Sequence, residues 1–232
     1  RHQAIYGFTG ADSDAVDQII REFNCKELPL TVTYRCPKSV VAASQAYVSH
    51  IQAHESAPEG EVVYVDERSK LDHSALQPTD AILCRKTAPI VDLAWQLIRK
   101  GIGCHVEGRD IGAGLAQLLF KWKRITSVDK YLEKLDLWHT RQIELLKAKN
   151  KEYAAEALTD RVETIKVLCD GCETIKDVKS KIDKMFADSE DDSKKAQNLT
   201  LSTVHKAKGR EWNTVYVYGF NKWMPSKMAK QD

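Results

Sequence analysis

Short apolar runs alternate with amphipathic helical runs in this 232-residue chain, and one long block without strand signal interrupts them. That alternation is the strongest constraint on the fold. LPLTVTYR (28–35), EVVYVD (61–66), DAILCRK (80–86), GCHVEG (103–108), LTLSTVH (199–205) and TVYVYGF (214–220) read as strands. DAILCRK is nearly continuous in apolar residues, as expected of a strand buried on both faces. Between the strands lie helical patterns. Val16, Ile19, Ile20 and Phe23 share a face over 13–24, with Asp12 or Ser13 as N-cap. Pro37 opens a second helix bearing Val40, Val41, Ser44, Tyr47, Val48 and Ile51. Thr87 is placed to cap a third, with Ile90, Ala94, Leu97 and Ile98 as its stripe and Gly101 as its stop. Strands alternating with helices predict an α/β domain built on a mostly parallel sheet.

The interrupting block is all-helical. Val128, Tyr131, Leu132, Leu135 and Trp138 lie on one helical face, and Val162, Ile165, Leu168 and Cys169 on another. Ile175, Val178, Ile182 and Met185 begin a third after Gly171. ADSEDDSKK (187–195) reads as a charged loop. The expected organisation is therefore a discontinuous α/β domain, 1–115 plus 197–232, with a helical subdomain, 116–196, inserted into it. The lysines of that insert (Lys147, Lys149, Lys151, Lys179, Lys181 and Lys184) are balanced by acids, so its surface reads first as a solvated helical face.

Bulk composition excludes several classes. The net charge of +2 argues against a strongly basic protein that coats nucleic acid, although a local basic groove remains open. No apolar run approaches the length of a membrane span, so no membrane association is expected. Six cysteines in mostly apolar surroundings fit reduced thiols and a cytoplasmic setting. Cys169 and Cys172 have CxxC spacing, but no second Cys or His pair completes a zinc site, so no metal site is assigned.

The chemistry concentrates at the ends of strands, where ligands bind in parallel sheets. Tyr34 and Arg35 end one strand, and Arg85 and Lys86 end another. LSTVHKAKGREW (201–212) is a strand delivering a basic, glycine-bearing loop to the surface. Its hydroxyl, imidazole and ammonium groups can reach phosphates, and Gly209 permits close backbone approach. Near the start, Gln3 offers an amide to a phosphate or a water, or is simply a solvated loop residue. Tyr6 and Phe8 flank Gly7, and on the residues alone they are either a core pair or a stacking platform for unpaired bases. Arg35 has the alternative of a surface ion pair.

Four segments, HQAIYGFTGAD (2–12), LTVTYRCP (30–37), AILCRK (81–86) and LSTVHKAKGREW, resemble motifs III, IV, IVa and V of the UvrD-like DNA helicases of superfamily 1, in that order. The resemblance covers roughly 1–115 and 197–220. It implies a RecA-like second motor domain of an ATP-dependent DNA helicase, unwinding with 3′-to-5′ polarity. Gln3 would read the terminal phosphate of ATP, and Tyr34 would stack on adenine. Arg35 would act as an arginine finger, worth roughly 10³–10⁵ in rate. Glu211 would accept hydrogen bonds from the ribose, with Gly209 beside it. Tyr6 and Phe8 would stack on single-stranded bases, each contributing about 1–3 kcal/mol. Arg85, Lys86, Thr203, His205, Lys206 and Lys208 would meet the DNA backbone.

Some positions depart from the family pattern. Thr9 stands where arginine is common, and Thr87 where asparagine often stands. Arg210 replaces the usual leucine, and is either an added DNA contact or a solvated cation. No GxxxxGK[ST] loop and no Walker B acid occur, and the second phosphate-reading arginine of motif VI would lie beyond Gly219. The chain is thus expected to be a cut piece of a helicase that hydrolyses essentially no ATP alone. It would share ATP with a first motor domain that holds the Mg2+ ligands. Expected partners are that domain, single-stranded DNA and, through the helical block, duplex DNA; a partner surface and an autoinhibitory arm are the other roles open to the block. The competing class is a non-catalytic helicase-like module that binds DNA or a partner. The pathway, repair or replication, is not written in these residues.

Overall fold

A computed structural model describes residues 14–65, 72–186 and 198–224. The chain divides into two compact units, Arg1–Lys70 and Leu71–Asp232. The stretch carrying Gln3, Tyr6 and Phe8 lies outside the described residues.

In the first unit, α1 (Ala15–Phe23) forms where the apolar period placed it. It ends at Asn24, which adopts the left-handed conformation. Its apolar side is not buried: Val16, Ile19 and Phe23 are all exposed. β1 (Val32–Thr33) and β2 (Gln52–Ala53) pair in parallel, Val32 opposite Gln52 and Thr33 opposite Ala53. Between them runs α2 (Lys38–Ser44), started by Pro37 and shorter than its sequence pattern suggested. The strand read over 61–66 does not form across residues 61–65, and Val63 and Tyr64 are exposed there. A β-branched, aromatic run becomes a strand only beside an edge that takes up its N–H and C=O groups.

The second unit holds a four-stranded, wholly parallel sheet in the order β4 (Cys104–Val106), β5 (Leu199–Thr203), β3 (Ala81–Cys84) and β6 (Val215–Val217). β5 is buried along its whole length, and in β3 only Leu83 is partly exposed. Burial on both faces fits the nearly continuous apolar run of β3, whereas β5 alternates apolar and hydroxyl residues in sequence and yet buries Thr200, Ser202 and Thr203 as well. The register sets Cys84 of β3 beside Thr203 of β5, so both strands finish at one level. α3 (Thr87–Arg99) connects β3 to β4 and buries Ile90, Val91, Ala94 and Leu97.

Between β4 and β5 the chain is helical: α4 (Arg109–Leu119), α5 (Val128–Ala148), α6 (Glu152–Cys169) and α7 (Ile175–Phe186). The three faces anticipated for the last three helices are the buried ones. α6 packs on both α3 and α5, while α4 packs on α7. One continuous core joins Ile82, Leu97 and Leu201 of the sheet region to Leu135, Ile165 and Val178 of the helical block. α4 and α7 approach so closely that a Cβ at Gly112 would lie 2.8 Å from Cβ of Phe186. A short helix, α8 (Phe220–Trp223), follows β6. The parallel sheets flanked by helices make this an α/β fold of the RecA-like kind. No helix among the described residues is long and apolar enough to cross a membrane.

Candidate functional site

In the second unit, the candidate residues gather at the C-terminal edge of the sheet because β3 and β5 are neighbours. Val204 N–H donates to the Cys84 carbonyl at 3.0 Å, tying the two strand ends together just where their loops begin. From β3 come Arg85 and Lys86, both half-buried. From β5 come Thr203, buried, and then His205 and Lys206. The Thr203 hydroxyl accepts the Lys206 N–H at 3.4 Å, and Ala207 N–H donates to the Thr203 carbonyl at 3.0 Å, so the loop curls back over its own strand. Lys208, Gly209 and Glu211 follow on the exposed outer part of that turn. Gly209 has φ +89°, a conformation that costs a side-chain-bearing residue strain even though no atom lies near its missing Cβ.

Electrostatics at this edge are mixed rather than simply basic. Burial lowers the His205 pKa, and the nearby Arg85 lowers it further, which keeps the ring neutral near pH 7. Lys206 Nζ bonds both Asp110 oxygens at 2.8 Å, and this ammonium holds the Asp110 carboxyl below the usual carboxylate range. Arg210 Nη1 meets Glu107 Oε1 at 2.5 Å, and the Glu107 side chain is only 10% exposed. Arg210, open between a DNA contact and a solvated cation on sequence, thus fastens the loop to the end of β4. Lys86 reaches Glu163 of α6 at 3.4 Å.

Glu107, Asp110, Asp160 and Glu163 escaped sequence reasoning. Acids at and just beyond the end of GCHVEG were a usable signal for the first two, since adjacent strand ends place them beside the basic loop. Nothing local marks Asp160 or Glu163, which come from a helix far along the chain. Thr87, expected as the cap of α3, is instead its first residue, and its N–H donates to Asp160.

The nucleotide-side candidates of the first unit stand at the end of β1. The Tyr34 ring is 76% exposed and stacks on His54, with centroids 4.2 Å apart and planes at 28°. His54 follows β2 and is held by Ser56, whose N–H donates to Nδ1 at 3.2 Å and whose hydroxyl lies 2.7 Å from it. Arg35 is exposed, and its N–H donates to the Thr33 hydroxyl at 3.3 Å. His54 was also missed, because nothing in its own neighbourhood marks it as a ring partner.

Residues 110–232, more than half of the chain, match the model of the UvrD-like helicase C-terminal domain. The chain belongs to that family. No curated protein and no solved structure gives a match. The matched stretch runs from the second residue of α4 through α8 and includes the whole basic loop after β5, so this part of the UvrD-like resemblance lies within the family match. The segments around Gln3, Tyr34 and Arg85 lie before it. Within the UvrD-like domain, residues of the four helices share one core with Leu199 and Leu201 of β5, the strand that leads into the loop. All six cysteines are free thiols, with Cys84 and Cys169 buried and Cys25 exposed. Burial pushes the Cys169 thiol up to about 12, which suits a packing role rather than a reactive one.

Proposed function

We propose that this chain is the second motor domain of an ATP-dependent DNA helicase, coupling ATP hydrolysis to movement along a single strand and to duplex unwinding. The observation that carries this reading is the loop after β5, which starts level with the end of β3, brings His205 near Arg85, adds Lys206 and Lys208, and leads to the carboxylate of Glu211, within a UvrD-like helicase domain. Cations and neutral hydrogen-bonding groups at a strand end suit a phosphodiester backbone, read without regard to sequence. Glu211, a few residues on, suits a ribose hydroxyl. One loop with both kinds of group offers a mechanical link between nucleotide and strand.

On the nucleotide side, the exposed outer face of Tyr34 fits a purine, with His54 backing the ring. Arg35 next to it is a permanent planar cation suited to a terminal phosphate. Gln3 would join it in sensing that phosphate, and Tyr6 and Phe8 would stack on unpaired bases. ATP supplies the phosphoanhydride bond whose hydrolysis drives the cycle; the residues named here bind, orient and sense it. No cluster of three or more metal-ligating side chains occurs among the described residues. Six free thiols agree with a cytoplasmic protein.

The deciding experiment is DNA-stimulated ATP hydrolysis by the full-length protein. Arg35→Ala should reduce it by about 10³-fold or more while sparing DNA binding. Unchanged turnover would remove the finger role. A wild-type protein that binds DNA and hydrolyses nothing would point to the non-catalytic binding module.

A further inference from the structure

Helix α3 begins directly after Arg85 and Lys86, yet it has no cap of its own. Lys86 stands at the N-cap position without a side-chain bond to the helix amides, and the first turn holds no acid. The free amides are met from elsewhere. Asp160, on α6 and 73 residues further along the chain, accepts the Thr87 N–H with both oxygens, at 3.1 and 2.9 Å, and the Ala88 N–H at 3.4 Å. One turn further along α6, Glu163 takes Lys86 Nζ at 3.4 Å.

Asp160 is not free to drift. Its carbonyl accepts the hydroxyl of fully buried Thr164 at 2.7 Å, and α6 is anchored by Ile165, which is also fully buried. A helix N-terminus with unfilled amides and a positive dipole end attracts phosphate. Here a carboxylate already fills that place. An incoming phosphate is therefore turned away from the α3 backbone and toward side chains of the two neighbouring loops. Arg85 lies close enough to His205 to lower its pKa, so the two loops are neighbours at this edge.

We propose that Asp160 is a positioning residue for nucleic-acid binding: by capping α3 from α6, it fixes the loop that presents Arg85 and Lys86 and closes the helix end to phosphate. The role rests on the DNA-binding reading above. It makes the helical block a structural determinant of how the sheet edge meets DNA, with no DNA contact of its own required.

The test is binding of a fluorescent oligo(dT) to the full-length protein, by anisotropy, across a series of salt concentrations. Asp160→Ala should weaken binding about tenfold and reduce the slope of log K against log salt by about one, as a loop cation disengages. Asp160→Asn keeps an acceptor for the Thr87 N–H and should regain most of the lost affinity. An alanine variant with an unchanged slope, or one that binds DNA more tightly than wild type, overturns the role. If the alanine variant does not fold, the asparagine variant decides. Faster hydrogen exchange at Thr87 and Ala88 with an intermediate affinity supports the role, and the same exchange with wild-type affinity overturns it. A wild-type protein that ignores the oligonucleotide defeats the DNA-binding reading first, and this role with it. That outcome stays distinguishable, because exchange at Thr87 is read without DNA.

Discussion

His205 shows how one side chain reports on its surroundings. Its ring is half-buried within the basic loop and lies near Arg85, and both effects disfavour the imidazolium. Protonation is thus harder in the folded chain than in the unfolded one, whose value is the ordinary 6.5. The stability this residue contributes is complete above pH 6.5 and fades as pH falls from there through the depressed folded value. An NMR titration of the ring should give a midpoint below 6.5, and Arg85→Ala should move it upward without fully restoring it, because burial is the larger cause. A midpoint indifferent to Arg85 would separate the two loops. Some residues of this edge were legible in sequence, because strand ends in parallel sheets are where ligand groups belong. Their counter-charges were not, because Asp110 and Glu163 reach Lys206 and Lys86 through tertiary packing that no local pattern encodes.

Among the elements, legibility followed burial. α5, α6 and α7 were placed by their apolar periods, since their buried faces are what the periods describe. α4 was missed although Ile111, Leu115, Leu118 and Leu119 recur at helical spacing. Gly112 and Gly114 interrupt that pattern, and Gly112 is there because Phe186 of α7 leaves no room for a side chain. The run at 61–65 failed in the opposite sense: strong strand propensity without a neighbouring edge. α6 is the element on which the second unit depends most, because it meets α3, α5 and α7 together. Ile165, fully buried at its centre, tests this. Ile165→Ala should cost about 3 kcal/mol in urea unfolding. A loss under about 1 kcal/mol would mean that the helix is only loosely docked.

For the whole molecule, the consequence concerns cooperativity. The sequence separates 116–196 from the sheet by composition, whereas the folded second unit runs one core through both. The helical block and the sheet should therefore unfold together. Trp122 and Trp138 report on the block and Trp95 on α3, so variants keeping one tryptophan within this unit should show coincident urea transitions. Two resolved transitions would make the block an independent lobe. The α/β class and the helical interruption were readable because both are matters of period. The sharing of a core was not, since period says which face is apolar and never what covers it.

The ring pair at the end of β1 carries a different implication. With His54 beneath it, Tyr34 offers a single flat surface and no hydrogen-bonding edge along the plane of a visiting base. Any purine satisfies such a surface about equally, since every base has a π-face. If the chain acts as the proposed ATP-driven motor, a preference for adenine over guanine must be set at the rim of the base by other groups, and Tyr34→Phe should keep that preference intact.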